Sequence, residues 1–527
     1  MPISTSGNNF DIILVSAEWW DDHPLSPVGV IARVLDAKGF SVGIIEKPET
    51  PEDFQKLGAP GLFFGVTAGS IDSMMNNYTP MKHRRENDPH ARKQNIMPDR
   101  ATIVYCNALR RHFKGCTIVI GGIEASLRRF THYDYWDNDV RRSILLDSRA
   151  DVLVYGNGEM QIIELARRAR DGKELAGVPG TCIVSKDVPA GFEMLPGHAL
   201  AAADKSKFCE MQNMFSISKN LAQEYDRNHV LQYSYPKYTA KFLDWVYSLD
   251  YSRFMHPDSL LRMAQFSVQT HRGCIGTCSF CSLGLHQGNR IISRSQESIL
   301  AEIGKIVKHS EFRGVIDDLG GPSANMYGMD CGICGGDCLS CEKLDRSHKP
   351  IIELMRKARK VRGVRKVFVR SGVRYDLAIE SPVYIEELSK FHISGCLKVA
   401  PEHFSPRVLG LMGKPGERLE EFVQLFGKLN TGTGQSLRYY LMIGHPGEDR
   451  ASLDELVKKA EGLGNIENFQ LFTPTPMTVS TCMYWTGLDP RTMEPVKVVY
   501  DYRTKKRMKE KMLDILDDSE TTQHKDY

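Results

Sequence analysis

The sequence lacks the features that mark exported, membrane-spanning and disordered chains. No apolar run approaches the roughly 18 residues of a membrane span, and the stretch from Met1 to Asp11 has no basic segment followed by an apolar one, as a signal peptide would. Hydrophobic residues make up 42% of the 527, which is too many for a disordered chain. The formal net charge of +3 is too small to indicate nucleic-acid or membrane binding. We therefore expect a cytoplasmic protein of several domains with no membrane partner.

Two further absences narrow the chemistry. No Gly-x-Gly-x-x-Gly fingerprint follows the first predicted strand, 11–16, so NAD binding is not supported. The 13 cysteines are odd in number and come without an export signal, which disfavours a disulfide framework and favours metal or catalytic use. Seven of the 13 lie between Cys274 and Cys341, and we expect the chemistry there.

The order of apolar strands and amphipathic helices predicts an α/β protein. Strands and helices alternate over the first 170 residues, which is typical of a Rossmann-like parallel sheet. A second series of six β/α units, from Gln265 to about Tyr484, indicates a partial (β/α)6 barrel or an open sheet, with the chemistry at the carboxyl ends of the strands. The predicted divisions are an α/β domain at 1–207, an aromatic-rich connector at 208–264, the barrel at 265–490 and a helical, polar tail at 491–527.

Three cysteines stand at fixed offsets directly after a predicted strand, in the segment from His271 to Cys281. Thiolates at Cys274, Cys278 and Cys281 can hold three irons of a cubane iron–sulfur cluster. Three ligands leave the fourth iron open, as catalytic metal sites generally keep an open position. A closed electron-transfer cluster would need a fourth cysteine.

The spacing Cys274-x-x-x-Cys278-x-x-Cys281, with the aromatic Phe280 before the last cysteine, resembles the motif of the radical S-adenosylmethionine (SAM) superfamily. The resemblance implies a 4Fe–4S cluster whose open iron binds the amino and carboxylate groups of SAM. It also implies cleavage of SAM to methionine and a 5′-deoxyadenosyl radical that removes a hydrogen atom from substrate. A reductant of the flavodoxin or ferredoxin type is implied as the partner of the cluster.

Later segments match the same superfamily in order. Gly320-Gly321 stands where a Gly-Gly-Glu motif contacts the SAM amino group, but Pro322 replaces the glutamate, so that contact would use backbone carbonyls. Gly444-His-Pro-Gly447-Glu448 resembles a turn that lies near the adenine in methylthiotransferase-like members. The resemblance implies that the SAM-binding residues are Phe280, Gly320, Gly321, Arg374, Glu402, Gly444 and Gly447. For Arg374, an ion pair with Asp376 that holds a strand end is an equal alternative.

Over nearly the whole chain, the sequence is most similar to the YgiQ family of radical SAM proteins. The segments that carry the similarity are Val15-Ser-Ala, Asp22-His23-Pro24, Ile103-Val-Tyr-Cys-Asn107, Gly121-Gly-Ile-Glu-Ala-Ser-Leu-Arg-Arg129, Asp318-Leu-Gly-Gly-Pro-Ser-Ala-Asn325, Ser371-Gly-Val-Arg-Tyr-Asp376 and Ala400-Pro-Glu-His403. The substrate of that family is not established, so the similarity names a mechanism and no reaction.

A second cysteine group follows the second predicted barrel strand. Cys331, Cys334, Cys338 and Cys341 have paired spacing and are interleaved with glycines, which indicates a closed four-thiolate site. Structural zinc and an auxiliary iron–sulfur cluster both fit, and the residues do not choose between them.

The N-terminal α/β segment resembles the cobalamin-binding domain that precedes the barrel in radical SAM methyltransferases. The lower-ligand motif Asp-x-His-x-x-Gly is only approached, because Ser26 stands where the glycine would be after His23. Cobalamin stays open as a cofactor, and a domain repurposed for substrate recognition is favoured.

These patterns support a radical SAM enzyme that acts on an unknown substrate, either a small molecule or RNA. The alternative is a non-catalytic RNA-binding module, braced by metal, that grips RNA through the basic stretches 76–100 and 503–511. The open three-cysteine set disfavours that alternative, since a bracing site gains nothing from an unfilled ligand position.

Overall fold

The computed structural model describes residues 3–85, 96–331, 338–414, 416, 418–463 and 465–523. The chain divides into two compact units. The N-terminal unit comprises Met1–Gln265 with Leu285–Gly288 and Thr475–Met477, and the C-terminal unit comprises Phe266–Gly284, Asn289–Pro474 and Thr478–Tyr527. Among the described helices, none has both the length and the apolar composition that crossing a bilayer requires.

A ten-stranded sheet forms the centre of the N-terminal unit, in the order β1-β3-β2-β4-β5-β8-β9-β12-β11-β10. The first six strands in this order are mutually parallel, as the sequence predicts, and β9, β12 and β11 extend the sheet through antiparallel pairs. Its strands are β1 (Ile3–Ser4), β2 (Ile12–Ser16), β3 (Val42–Glu46), β4 (Phe63–Thr67), β5 (Ile118–Ile120), β8 (Val152–Val154), β9 (Thr181–Ser185), β10 (Glu193–Met194), β11 (Leu221–Tyr225) and β12 (Asn228–Gln232). A separate hairpin pairs β6 (His132–Asp134) with β7 (Asp139–Arg141).

Helices connect the parallel strands and cover the sheet. The first, α1 (Pro27–Asp36), begins at Ser26, whose Oγ accepts a hydrogen bond from the Gly29 N–H, and Pro27 suits the first helical position because it has no N–H to leave unpaired. The others are α2 (Pro51–Gln55), α3 (Ser73–Asn77), α4 (Ala101–His112), α5 (Ile123–Ser126), α6 (Ile144–Ser148), α7 (Glu159–Arg170), α8 (His198–Ala203), α9 (Lys205–Met214) and α10 (Ala240–Ser248).

The predicted connector, 208–264, lies in the N-terminal unit. Its strands β11 and β12 form a hairpin whose turn carries Asp226 at a φ of 55°, and β12 pairs with β9 of the main sheet. Tyr155 is buried beside this segment and donates a hydrogen bond to the carbonyl of Tyr233. The aromatic residues that suggested a connector therefore complete the N-terminal core.

The C-terminal unit follows the predicted β/α order. Its parallel strand segments pair as β13 with β17, β16 with β18, and β19 with β20 and β21. The segments are β13 (Val268–Gln269), β16 (Val315–Ile316), β17 (Leu319–Gly320), β18 (Lys366–Val367), β19 (Cys396–Glu402), β20 (Ser436–Ile443) and β21 (Ile466–Leu471). A short antiparallel pair, β14 (His271–Arg272) with β15 (Ile292–Ser293), flanks the cysteine segment.

Amphipathic helices separate these strands. Helix α12 (Gln296–Ile306) begins after Ser295, whose Oγ caps the Ser298 N–H, and it buries Ile299, Ile303 and Ile306 at the predicted spacing. The others are α11 (Leu283–His286), α13 (Lys349–Arg359), α14 (Tyr375–Ala378), α15 (Pro382–Phe391), α16 (Pro406–Met412), α17 (Leu419–Leu429), α18 (Arg450–Leu463), α19 (Val479–Thr486) and α20 (Tyr502–Gln523). The tail helix α20 packs against α18 and β21.

Candidate functional site

The three cysteines of the first motif lie in one loop between β14 and α11. Burial raises the pKa of Cys281 to about 11, and the neighbouring thiols of Cys278 and Cys274 act in the same direction. Burial also raises the pKa of Cys278, again with Cys274 as a neighbour, while Lys414 and Arg374 oppose the rise. The three side chains are therefore close enough to interact electrostatically, although ten sequence positions in other elements could have separated them from any shared centre.

This cysteine loop is held in place by hydrogen bonds to α16 and α19. The Ser279 N–H donates to the Met412 carbonyl at 2.8 Å, and its Oγ donates to the Leu411 carbonyl at 2.6 Å. The Ser480 N–H in turn donates to the Ser279 carbonyl at 2.9 Å. Gly413, at a φ of 64°, follows α16 so closely that a Cβ there would stand 2.6 Å from the carbonyl oxygen of Thr277.

Gly413→Ala is expected to displace the cysteine loop. An alanine at this φ costs about 1–3 kcal/mol, and the atom it would strike belongs to the backbone, which cannot swing aside. We expect clearly less iron per chain after anaerobic reconstitution than in wild type. Gly410→Ala is the matched control, because Gly410 lies in α16 with no atom within 4 Å of the added Cβ, and it should retain wild-type iron. Equal iron in the two variants would contradict this account of the loop.

The surroundings of the three thiols fit an iron–sulfur cluster. The Gly276 N–H points at the Cys274 sulfur at 3.4 Å, and the Leu283 N–H lowers the pKa of Cys281, as donors to a thiolate do. Among the described residues, no three His, Cys, Asp or Glu side chains are grouped to hold a single metal ion. A cubane does not need such a group, because each thiolate binds a different iron. Two cations, Arg374 and Lys414, lie near enough to stabilise thiolates, so the donor set suits a 4Fe–4S cluster.

Two predicted motifs are joined beside the cysteine loop. Asp318 accepts hydrogen bonds from the Arg370 N–H at 2.7 Å, the Ser371 N–H at 3.1 Å and the Ser371 hydroxyl. Asn325 pairs with the backbone of Arg374 through both ends of its amide, each at 2.9 Å. The segments 318–325 and 371–376 therefore form one rigid assembly.

Arg374 points from this assembly toward the cysteine loop. Its guanidinium binds the Asp376 carboxylate in a bidentate manner, at 2.6 to 3.2 Å. A Cβ on Gly276 would stand 2.6 Å from Arg374 Nη1, so Gly276 permits the approach. The ion pair named as an alternative at the sequence level is present, and it places a cation next to the predicted cluster ligands; a contact of Arg374 with SAM stays a prediction.

Gly320 and Gly321 are both crowded by side chains. A Cβ on Gly320 would stand 2.8 Å from Ser371 Oγ, and one on Gly321 would stand 2.5 Å from His271 Cε1. The Gly320 carbonyl accepts two hydrogen bonds from Thr270, from its N–H at 2.7 Å and from its hydroxyl at 3.1 Å. Both lone pairs of that carbonyl are therefore used within the protein.

Glu402 ends β19 in a left-handed conformation, with a φ of 67°. Strained positions of this kind cluster at functional sites. Its carboxylate lies 3.4 Å from Lys414 Nζ, and burial raises the pKa of Glu402 against the opposing effect of that cation. Sequence reasoning missed Lys414, since a lysine after a helix is ordinarily solvated and only its place beside Gly413 hints otherwise.

The Gly444–Glu448 turn lies beside the cysteine motif. The rings of Phe280 and His445 meet edge to face with centroids 6.3 Å apart. The Glu448 carboxylate folds back to accept the Gly444 N–H at 3.1 Å and lies 3.3 Å from His403 Nε2, with both side chains fully buried. Gly444 and Gly447 have φ values of 73° and 93°, which favour glycine. The structure thus brings Phe280, Gly444 and Gly447 together as predicted, although their contact with adenine stays a prediction.

The second cysteine group lies near the first. Cys338 and Cys274 both pack against one buried apolar cluster, formed by Ile275, Ile291, Met326, Met329, Leu344 and Leu377. The Cys341 N–H donates to the Cys338 carbonyl at 3.3 Å, which forms a tight turn. Cys334 lies outside the described residues, so the four-thiolate site with Cys331 stays a prediction.

His23, the candidate cobalt ligand of the N-terminal unit, is buried in its own turn. Its Nδ1 accepts the Leu25 N–H at 3.2 Å, and its Nε2 lies 3.9 Å from the Asp21 carboxylate. That carboxylate is itself held by the His256 N–H and the Ser259 hydroxyl. This arrangement does not fit an axial ligand that must present a free nitrogen to a cofactor, so His23 does not support cobalamin binding.

Comparisons with known proteins match the whole chain. The family description "Radical SAM N-terminal" matches residues 3–269, "Radical SAM superfamily" matches 268–460, and a domain of unknown function matches 467–521. A UPF0313 protein of Fusobacterium nucleatum is 40% identical over 95% of this chain and 95% of its own length, and one of Methanosarcina acetivorans is 42% identical over 94% of this chain and 75% of its own.

Two solved structures share the fold at low identity. The radical SAM methyltransferase TsrM from Kitasatospora setae, with tryptophan substrate and a SAM analogue bound, superposes with a TM-score of 0.54 at 15% identity, over 90% of this chain and 76% of its own. The cobalamin-dependent radical SAM enzyme OxsB gives a TM-score of 0.52 at 11% identity, over 87% of this chain and 53% of its own. The fold class predicted from the sequence is confirmed, and so is the resemblance to radical SAM proteins.

Proposed function

We infer the function of this chain from its family, since it belongs to the radical SAM superfamily and to the UPF0313 proteins. We propose that it cleaves SAM at a 4Fe–4S cluster held by Cys274, Cys278 and Cys281, and acts on a substrate that is not yet identified. The observation that carries the proposal is the convergence of three thiols, two cations and backbone N–H donors in one buried loop.

When bound and reduced, the cluster supplies the electron that splits SAM into methionine and a 5′-deoxyadenosyl radical. The protein's own contribution is to hold and shield the reactants. Arg374 and Lys414 offset the negative charge of the thiolates, and their partners Asp376 and Glu402 fix both cations in position. Such fixed charges stabilise a charged centre without the reorganisation that water would need.

Apolar and neutral groups close the other side of the loop. Burial lowers the pKa of His445 to about 3, so this ring is neutral and packs between Phe280 and Phe472. Its Nδ1 bonds the Pro446 carbonyl at 2.7 Å and its Nε2 bonds Ser480 Oγ at 2.7 Å. A water-poor wall of this kind suits radical chemistry, because it keeps side reactions away from the reactive species.

The RNA-binding alternative finds no support in the described residues. In the basic stretch 503–511, Lys505 and Met508 are buried, and the Lys505 ammonium donates to the Tyr484 hydroxyl at 2.8 Å. This side of α20 is therefore a packing surface. The other basic stretch, 76–100, includes residues 86–95, which lie outside the described part of the chain.

The test is anaerobic reconstitution with iron and sulfide, followed by reduction in the presence of SAM. We expect four irons and four sulfides for the first site and formation of 5′-deoxyadenosine. About eight irons would indicate a second cluster at the four-cysteine site, and about four irons with one zinc would indicate a structural metal there. A fully loaded protein that forms no 5′-deoxyadenosine would overturn the proposal.

A further inference from the structure

His271 is a fully buried residue that the cysteine motif does not use. It begins β14, three positions before Cys274, and its ring fills the space that a side chain on Gly321 would occupy. A Cβ on Gly321 would stand 2.8 Å from the His271 Nε2 atom. The ring therefore lies against the second glycine of the segment expected to face the SAM amino group.

A chain of hydrogen bonds fixes which ring nitrogen carries the proton. The Thr270 hydroxyl has one proton and donates it to the Gly320 carbonyl at 3.1 Å. Its contact with His271 Nδ1 at 2.9 Å must then be donated by the imidazole, so Nδ1 carries the hydrogen. Burial lowers the pKa of His271 to about 4, with the Ser323 backbone opposing the fall, so the ring is neutral. Nε2 is left as an acceptor.

This acceptor has no partner. Among the described residues, nothing forms a hydrogen bond with His271 Nε2, which is buried from solvent. A buried polar atom without a partner costs about 1–3 kcal/mol, so an acceptor left in this state at a predicted cofactor site points to a ligand that completes it.

The segment beside this atom lacks another acceptor for an amino group. Pro322 stands where the superfamily has a glutamate, and the Gly320 carbonyl has both lone pairs engaged by Thr270. His271 Nε2 faces the same two glycines and remains free.

We infer that His271 Nε2 accepts a hydrogen bond from the amino group of SAM and so takes the place of the missing glutamate. The inference rests on the proposed function, since it names a contact within the same site. An amine bound to iron keeps N–H groups that can donate, and a neutral imidazole acceptor suits them without adding charge beside the cluster.

Two amide variants separate acceptor position from packing. The amide oxygen of His271→Gln can reach the position of Nε2, whereas that of His271→Asn reaches only the position of Nδ1. The full-length reconstituted protein is titrated with SAM, and Kd is read from the change in the electron paramagnetic resonance spectrum of the reduced cluster. We expect Kd to rise about tenfold in His271→Asn, and to stay within about threefold of wild type in His271→Gln.

Iron per chain is measured for each variant, so that a lost cluster is not taken for lost affinity. Should either His271 variant fail to hold iron, Thr270→Val decides, because it keeps the imidazole but removes the hydroxyl that fixes its tautomer. It should weaken SAM binding about threefold. Wild-type affinity in His271→Asn, equal loss in the Asn and Gln variants, or an unchanged Kd in Thr270→Val would overturn the inference. A wild-type spectrum that SAM does not alter would instead refute the proposed function.

Discussion

Cys278→Ala is expected to abolish both the visible absorbance of the first cluster and the formation of 5′-deoxyadenosine. The variant leaves two thiolates for a core that needs three protein ligands, and the described neighbours offer no replacement sulfur at that corner. The loss should be complete within detection, unlike the graded loss expected for Gly413→Ala, because a ligand is removed and not merely displaced. Absorbance and nucleoside formation are measured on protein reconstituted anaerobically.

The matched control is Cys396→Ala. Cys396 begins β19 in the same C-terminal unit and is a partly buried thiol outside both cysteine groups. This variant should retain wild-type absorbance and nucleoside formation. Iron that persists in Cys278→Ala would belong to the four-cysteine site and should disappear when Cys338→Ala is added. Cleavage of SAM by Cys278→Ala itself would contradict the ligand assignment.

Local patterns predicted the helices and parallel strands well. The spacing of Ile299, Ile303 and Ile306 and the cap at Ser295 both lie within one helix, so the sequence around them determines the result. The helix predicted at 159–170 is α7 with the same limits. The antiparallel extension of the N-terminal sheet was not predicted, because pairing between β9 and β12 joins residues about 45 positions apart and leaves no periodic signal.

The site was predicted in its ligands but not in its supports. Cysteines at fixed spacing identify themselves, whereas the amide contacts of Asn325 with Arg374 depend on two strand ends being adjacent in space. Lys414 and His271 belong to residue types that are ordinarily exposed or structural, so only their buried positions reveal them. The two glycines of the 318–325 segment were assigned to SAM, and the structure adds that each also admits a side chain from a neighbouring strand.

The motif 121–129 of the N-terminal unit illustrates the opposite case, a recognisable segment with a structural role. Arg128 is almost fully buried and forms a bidentate ion pair with Asp72, in which Nη2 lies 3.2 Å from Oδ1. Burial acts to lower the pKa of Arg128, but the carboxylates of Asp72 and Glu124 raise it overall, so the guanidinium stays charged. Asp72 also caps α3 by accepting the Met74 and Met75 N–H groups.

Asp72→Asn is therefore expected to destabilise the N-terminal unit by about 3–5 kcal/mol, the usual cost of leaving a buried charge without its partner. Asparagine caps a helix as well as aspartate does, so the loss would report the charge and not the cap. Urea unfolding followed by tryptophan fluorescence measures it, because four of the five tryptophans, Trp19, Trp20, Trp136 and Trp245, lie in this unit. Glu210→Gln, which breaks the exposed pair with Lys207, should leave the midpoint unchanged.

The double variant Asp72→Asn with Arg128→Met identifies the cause of the loss. If the uncompensated guanidinium is responsible, removing it should restore most of the stability, since apolar replacement of a buried ion pair is often neutral. If packing is responsible instead, the second substitution should add to the first. An unchanged midpoint in Asp72→Asn alone would mean that Glu124 and Asp134, the other carboxylates acting on Arg128, suffice to balance its charge.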